Sequence, residues 1–169
     1  MPAAVLIHGG YWKQQWTIDN TPITSIVPDL LAKGFGVVEL EYRRRDDEGG
    51  GWPNTNADVL LAINTLPATA PGECASLDLS NVTLIGHSAG GCLALWLAAQ
   101  DVQIRIRLVV AVAPVSPLSP PNPLTKCAKP TKPSRPLGPL NPLSPLSPLR
   151  SAGECAGLRP ERGLLHAPQ

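Results

Sequence analysis

Proline spacing divides this chain into two parts with different capacities to fold. Fourteen of its 20 prolines lie after residue 113, and from Pro114 they recur every third residue over long stretches. Proline fixes φ and removes a backbone donor, so neither a helix interior nor a central strand forms at that density. A three-residue period suits a polyproline II helix instead. The sequence predicts regular structure in residues 1–115 and a proline-rich, disordered, low-complexity tail in residues 116–169.

Charge and cysteine content also separate the parts. Residues 1–113 carry 7 Lys+Arg and 11 Asp+Glu, a net −4, whereas residues 114–169 carry 7 and 2, a net +5, so the overall +1 is a cancellation. The four cysteines show no C-x-x-C pairing, which favours a reduced, cytoplasmic setting. No apolar stretch approaches the ~18 residues of a membrane span, and the first ten residues lack the features of a secretory signal.

The first part alternates apolar strand patterns with helical patterns. One helix is predicted over residues 19–33, with Gly34 as its stop. A second is predicted to begin after a cap at Thr55 or Asn56, and a third over residues 89–100. Nearly continuous apolar strands that alternate with helices indicate a parallel α/β sheet covered on both sides. The predicted strands are residues 3–8, 35–42, 81–86 and 108–114.

A serine motif lies between the third strand and the helix after it. Gly86-His87-Ser88-Ala89-Gly90 fits the G-x-S-x-G pattern, in which a strained strand-to-helix turn exposes the serine hydroxyl. The helix dipole and the Ala89 N–H would face the oxygen of a reacting carbonyl, and a second donor must come from another loop. The "HGG" at residues 8–10 ends the first strand at the same end of a parallel sheet, which makes Gly9 or Gly10 a candidate.

Three blocks of sequence carry a family resemblance. They are "VLIHGGYW" (5–12), "VELEYRRRDDEGGGWPNTNADV" (38–59) and "VTLIGHSAGGCLALWLAA" (82–99). In this order they resemble α/β-hydrolases of the esterase/lipase type, especially the acetyl-xylan/feruloyl-esterase-like and kynurenine-formamidase-like branches. The resemblance implies a partial α/β-hydrolase fold over about residues 3–115. It also implies cofactor-free hydrolysis of a small-molecule carboxylic ester or related amide.

The same resemblance assigns roles to individual positions. Ser88 matches the nucleophile, and Asp58 matches a structural position to which no chemistry is assigned. Gly9, Gly10 and Ala89 match the oxyanion hole. Tyr11 and Trp12 match the part of the substrate pocket that holds the acyl group.

The partners of a serine nucleophile are harder to find. In this fold the acid and then the histidine follow the serine in the chain. The acidic residues after Ser88 are Asp101, at the far end of the following helix, and Glu154 and Glu161 in the tail. His166, four residues from the end, is the only later histidine and a weak candidate base, because terminal residues are commonly poorly ordered. The sequence predicts an impaired hydrolase or, alternatively, a non-catalytic hydrolase fragment whose tail is an interaction segment.

The tail itself allows three interpretations. A shifted reading frame or misassigned exon would explain why the family pattern stops abruptly. A true disordered extension would offer Ser-Pro pairs as phosphorylation sites, at Ser116, Ser119, Ser144 and Ser147. A PxxP ligand near "RPLGPL" (135–140) would bind a polyproline-recognising partner.

Other functional classes have little support. Residues 43–45 are three arginines followed at once by the acidic residues 46–48, which indicates a self-neutralised loop rather than a nucleic-acid site. No spaced set of His, Cys or carboxylate residues suggests a metal.

Overall fold

A computed structural model describes residues 1–69, 76–115 and 150–151 of the chain. Within these residues, four parallel strands form the sheet, in the order β4-β3-β1-β2, and a short fifth strand lies antiparallel to β2. The predicted parallel α/β sheet is therefore confirmed. The strands are β1 (Pro2–Ile7), β2 (Gly36–Leu40), β3 (Asp78–His87), β4 (Ile106–Val112) and β5 (Arg150–Ser151), and the α-helices are α1 (Val27–Ala32), α2 (Asn54–Thr69) and α3 (Ala89–Leu97).

Apolar side chains of β1 are buried on both sides of the sheet. Ala3, Val5 and Ile7 belong to a core built with α2 and α3, whereas Ala4 and Leu6 belong to a second core on the opposite side. Successive strand residues point to opposite sides, so the continuous apolar run of β1 matches a strand covered twice.

The helix predicted over residues 19–33 is wrong for most of its length. Two short 3-10 turns, Ile18–Asn20 and Pro22–Ile26, precede the six-residue α1. Pro22 and Pro28 each lie in the first turn of a new element, where the missing N–H is tolerated. The helical spacing of the apolar residues therefore indicated their common burial but not one continuous helix. Gly34 has φ +81°, as expected of a helix-ending glycine.

The start of α2 also differs from the prediction. The helix begins at Asn54, so Thr55 and Asn56 lie within its first turn rather than at its cap. Thr55 is buried, and its hydroxyl donates to the Arg43 carbonyl oxygen while accepting from the Gly51 N–H. The residue thus fixes the loop before the helix.

Two tail residues extend the sheet. Arg150 and Ser151 pair with Glu39 and Val38 of β2, a strand that the sequence did not predict. They follow the last proline of the repeat and keep their backbone donors, so pairing is open to them. The remaining predictions for residues 116–149 and 152–169 fall outside the described residues.

Candidate active site

Ser88 lies at the sharp turn that joins β3 to α3. Its φ of 53° and ψ of −115° place a non-glycine residue in a sparsely populated backbone region. The turn is held from two sides, because the Ser88 N–H donates to the Val112 carbonyl oxygen over 2.8 Å and the Cys92 N–H donates to the Ser88 carbonyl oxygen over 3.2 Å. Ser88 is half-buried. The strained serine is therefore fixed in place and partly open to solvent.

Glycines at both sides of Ser88 make this turn sterically possible. A Cβ on Gly90 would overlap the carbonyl oxygens of Ile7 and His8 at the end of β1. A Cβ on Gly86 would overlap the Gly90 carbonyl oxygen. Both positions require glycine because backbone atoms, which cannot rotate away as side chains can, occupy the space.

The loop after β1 passes beside the serine. A Cβ on Gly9 would lie 3.1 Å from the Ser88 Cβ and 2.7 Å from the His87 carbonyl oxygen, so the loop and the turn are in close contact. Gly10 has φ +110°, and the Lys13 N–H donates to its carbonyl oxygen over 3.0 Å. Gly9, Ser88 and Ala89, the first residue of α3, are thus neighbours.

Tyr11 and Trp12 leave this loop in different directions. Both have positive φ, 56° and 55°. Tyr11 is 42% exposed, with the Arg45 guanidinium carbon 5.8 Å from its ring centre, whereas Trp12 is 6% exposed and belongs to the core. Tyr11 is therefore the one of the two that presents a large surface to solvent.

His8 and Glu41 meet where β1 and β2 end. Ile7 and Leu40 are register partners in the parallel pair, so the next residues, His8 and Glu41, lie side by side. His8 is fully buried, its Nε2 lies 2.8 Å from Glu41 Oε1, and its Nδ1 lies 2.7 Å from the Gly9 carbonyl oxygen. The imidazole therefore connects the HGG loop to the end of β2.

Tyr42 holds the same imidazole from another direction. Its ring stacks on His8 at 4.4 Å between centroids and 10° between planes. The Tyr42 hydroxyl donates to the His8 carbonyl oxygen over 2.8 Å. Burial, together with the Glu41 charge, raises the pKa of the phenol, so Tyr42 stays a neutral donor.

Four donors converge on the Glu41 carboxylate. Oε1 accepts from Arg44 Nη1 over 2.6 Å and from the Tyr42 N–H over 3.1 Å, besides its contact with His8, and Oε2 accepts from the Ile18 N–H over 3.1 Å. Burial raises the pKa of the carboxyl, but the His8 hydrogen bond and charge, the Ile18 hydrogen bond and the Arg44 charge together hold it below its ordinary value. Glu41 is therefore a carboxylate at neutral pH.

The charged loop after β2 is neutralised partly within itself and partly by α2. Arg44 Nε donates to Asp47 over 2.9 Å, and Arg45 pairs with Asp46 at 3.2 Å. Arg43 reaches outside the loop instead, with Nε 2.8 Å and Nη2 2.6 Å from the two carboxylate oxygens of Asp58. The interpretation as a self-neutralised loop thus holds for two of its three arginines. The bidentate bond to Asp58 matches the structural role expected there.

Candidate partners of Ser88 are not brought together in the described part of the chain. Asp101 is exposed beyond the end of α3, and His8 is engaged by Gly9 and Glu41. His87, adjacent to Ser88, has its Nδ1 3.1 Å from the position of a Gly9 Cβ. His166, Glu154 and Glu161 fall outside the described residues. Across residues 1–69, 76–115 and 150–151, no group of three or more His, Cys, Asp or Glu side chains could hold a metal.

The sequence interpretation missed Glu41, Tyr42 and Arg44. A signal was present, because "ELEY" places a carboxylate at the end of an apolar strand, and parallel strands end at one edge. Finding the His8–Glu41 contact required knowing that β1 and β2 are neighbours with Ile7 opposite Leu40.

Fold and turn together define an α/β-hydrolase of the esterase/lipase type, as the sequence resemblance implied. A family model described as BD-FAE matches residues 1–112. The chain belongs to that family.

Two groups of known proteins are similar to the chain. The uncharacterized proteins Mb2734 of Mycobacterium bovis and Rv2715 of Mycobacterium tuberculosis are 31% identical over 117 residues, which cover 66% of this chain and 29% of each relative. Among solved structures, an inhibited esterase B from Lactobacillus rhamnosis is 26% identical at a TM-score of 0.56, covering 69% of this chain and 40% of the esterase. The Francisella virulence factor BioJ shares the fold, at 23% identity and a TM-score of 0.54, covering 67% and 36%.

This chain therefore spans less than half the length of each of these proteins. Among the described residues, no helix combines the length and apolar character needed to cross a membrane.

Proposed function

We propose that the chain is a serine hydrolase of the carboxylesterase type, in which the Ser88 Oγ attacks the acyl carbon of a small carboxylic ester or related amide. The Oγ–acyl bond forms, the ester C–O bond breaks, and the alcohol leaves with a proton. Water then cleaves the acyl–Oγ bond and releases the acid. The strained position of Ser88 beside the HGG loop is the observation that carries this proposal.

The oxyanion would be stabilised by two backbone donors, Ala89 N–H and Gly10 N–H. Ala89 is the first residue of α3, where the helix dipole favours negative charge. Gly9 and Gly10 are both candidates from sequence, and the peptide that joins them favours Gly10. In a trans peptide the carbonyl and the N–H point in opposite directions, so a Gly9 oxygen bound to His8 Nδ1 turns the Gly10 N–H away from the buried imidazole.

The remaining site residues contribute space and surface. Gly9 would allow the loop to approach Ser88, since a Cβ there would press on the serine. Tyr11 would form an exposed wall of the substrate pocket, and Trp12 would support the loop from the core.

Turnover is expected to be weak. Neither His8 nor His87, the two histidines of the described residues, is assigned as the base for Ser88. The serine proton therefore has no assigned acceptor. Binding and oxyanion stabilisation alone leave about 10³–10⁴-fold acceleration over water in proteases stripped of the triad. Because Ser88 lacks an assigned base, its share of p-nitrophenyl acetate hydrolysis should be small, so we expect a slow steady-state rate that Ser88→Ala barely changes. Robust turnover abolished by both Ser88→Ala and His166→Ala would contradict this.

Slow turnover still leaves a direct test of the nucleophile. Prolonged incubation with p-nitrophenyl acetate, followed by peptide mass spectrometry, should show an acetyl group on Ser88. Ser80→Ala is the matched control, because Ser80 is exposed on β3, the strand that leads to Ser88, and its hydroxyl donates to Asp78. Acetylation should persist at Ser88 in that variant and disappear from this peptide in Ser88→Ala. Absence of the acetyl group from Ser88 would favour the alternative, a non-catalytic hydrolase fragment. Binding of a polyproline partner by the tail, and a cytoplasmic location, stay predictions.

A further inference from the structure

The geometry points to a buried positive charge on His8, held by Glu41, that fixes and polarises the Gly9–Gly10 peptide. Glu41 is then a positioning residue that acts through the imidazole. The effect on oxyanion stabilisation rests on the proposed function, whereas the charge of His8 does not.

Both ring nitrogens of His8 face atoms that only accept hydrogen bonds. Nδ1 lies 2.7 Å from a backbone carbonyl oxygen and Nε2 lies 2.8 Å from a carboxylate oxygen of Glu41. Neutral imidazole carries one N–H, so one of these nitrogens would face an oxygen with no proton between them. Imidazolium carries two, and both contacts become hydrogen bonds. The doubly protonated ring is therefore the form that fits this site.

Charge balance in the surrounding cluster favours the same form. His8, Glu41, Arg44 and Asp47 make a chain of contacts at 2.8, 2.6 and 2.9 Å. With His8 charged, the signs alternate and sum to zero, whereas neutral His8 leaves a net −1. The four side chains are 0, 17, 14 and 15% exposed. Buried charges are costly unless paired and hydrogen-bonded, so the neutral sum is the more stable arrangement.

Outside this cluster, Tyr42 is the titratable side chain shown against the His8 ring. Tyr42 is a neutral phenol whose parallel ring offers a π-surface to the imidazolium. His87, on β3, approaches Gly9, and Arg45 lies against Tyr11. Asp19, next to Ile18 in the adjacent 3-10 turn, is exposed. Glu41 and Tyr42 are thus the ionisable side chains shown in direct contact with the ring.

A charged His8 would strengthen the proposed oxyanion site through the peptide that joins Gly9 to Gly10. Hydrogen bonds from an ionised donor are roughly twice as strong as neutral ones. The bond to the Gly9 carbonyl oxygen would restrain the Gly9–Gly10 peptide plane, and polarisation of that amide would make the Gly10 N–H a better donor.

Nitrogen-15 NMR of the full chain tests the charge. Wild-type protein at pH 7 should show both His8 ring nitrogens protonated. Glu41→Gln should convert His8 to a neutral tautomer, because the substitution removes the compensating charge but keeps the size. Asp46→Asn is the matched control, since Asp46 lies in the same loop but pairs with Arg45; its His8 signals should match the wild type. A wild-type spectrum with one unprotonated His8 nitrogen overturns the inference, even if Glu41→Gln does not fold.

The positioning role has its own measurement, the rate of Ser88 acetylation by p-nitrophenyl acetate. Folded Glu41→Gln should be slower than Asp46→Asn by about tenfold or more, short of the 10²–10³-fold typical of deleting an oxyanion donor. Equal rates would overturn the positioning role. If no variant acetylates Ser88 while His8 is doubly protonated, the proposed function fails and the charge assignment stands.

Discussion

The two outer strands of the parallel sheet, β2 and β4, are similarly apolar in sequence but differ in how they are covered. On β2, Val37, Val38 and Leu40 are 4, 3 and 0% exposed. On β4, Leu108, Val110 and Val112 are 54, 36 and 48% exposed. The 3-10 turns and α1 pack beside β2, and β5 pairs with its edge, whereas α3 packs on the side of β4 that carries Val109.

This contrast shows that apolar composition predicts a strand but not its burial. Burial depends on which elements the chain places against each side, and one side of β4 lacks such an element among the described residues. The Ser88 turn lies between β2 and β4, with Gly90 packed against the end of β1 and with the Ser88 N–H hydrogen-bonded to Val112 of β4.

The largest expected effect on stability is at the contact between the Ser88 turn and the end of β1. Gly90→Ala would place a Cβ on the carbonyl oxygens of Ile7 and His8, which belong to the central strand and the residue after it. We expect a loss of about 3 kcal/mol or more in the free energy of unfolding, since the backbone itself must move. Gly91→Ala is the control, because its Cβ would meet its nearest atom at 3.1 Å. Equal denaturation midpoints for the two variants would contradict the argument.

The next effect compares leucines on neighbouring strands. Leu84 of β3 is fully buried, and Leu108 of β4 is 54% exposed. Leu84→Ala should cost about 2–5 kcal/mol through the cavity that it leaves. Leu108→Ala should stay within about 0.5 kcal/mol of wild type. Urea denaturation measures both, and a cost above about 2 kcal/mol for Leu108→Ala would show that the β4 surface is covered in solution.

Prediction from sequence also differed between two kinds of feature, those set by neighbours in the chain and those set by contacts between distant residues. Local patterns located β1 and the serine turn, because a continuous apolar run and a G-x-S-x-G spacing depend on neighbours in the chain. They failed at residues 19–33, where Pro22 and Pro28 restart the backbone within a pattern of apolar residues. They also could not identify the His8–Glu41 contact, since it joins residues 33 positions apart and depends on strand register.

A smaller expected effect is the pH dependence of stability that comes from Glu41, at the end of β2. The folded pKa of Glu41 lies below its ordinary value of 4.5. Its charge therefore adds stability that is fully present above the unfolded pKa and is lost as pH falls through the lower folded pKa. The urea midpoint of the wild type should decline from pH 7 into that range.

Glu41→Gln should flatten this decline, because its side chain has no proton to gain. Asp78→Asn is the control for a carboxyl whose pKa is also lowered, chiefly by hydrogen bonds from Ser80, but which is fully exposed. An equally steep decline in wild type and Glu41→Gln would place the acid sensitivity elsewhere in the chain.

The smallest expected change in stability accompanies a change in association. The exposed apolar side of β4 lies on a strand at the end of the described sheet, and such strands favour edge-to-edge pairing between chains. Replacing Leu108 and Val110 by lysine should leave the free energy of unfolding within about 1 kcal/mol, since surface substitutions each change it by about 0.5 kcal/mol or less. It should shift the chain toward monomer in light scattering, because lysines on adjacent copies repel. Leu95→Lys together with Trp52→Lys adds the same charge at exposed positions outside β4. Equal monomer fractions for the two double variants would assign the effect to net charge alone and remove β4 as the site of association.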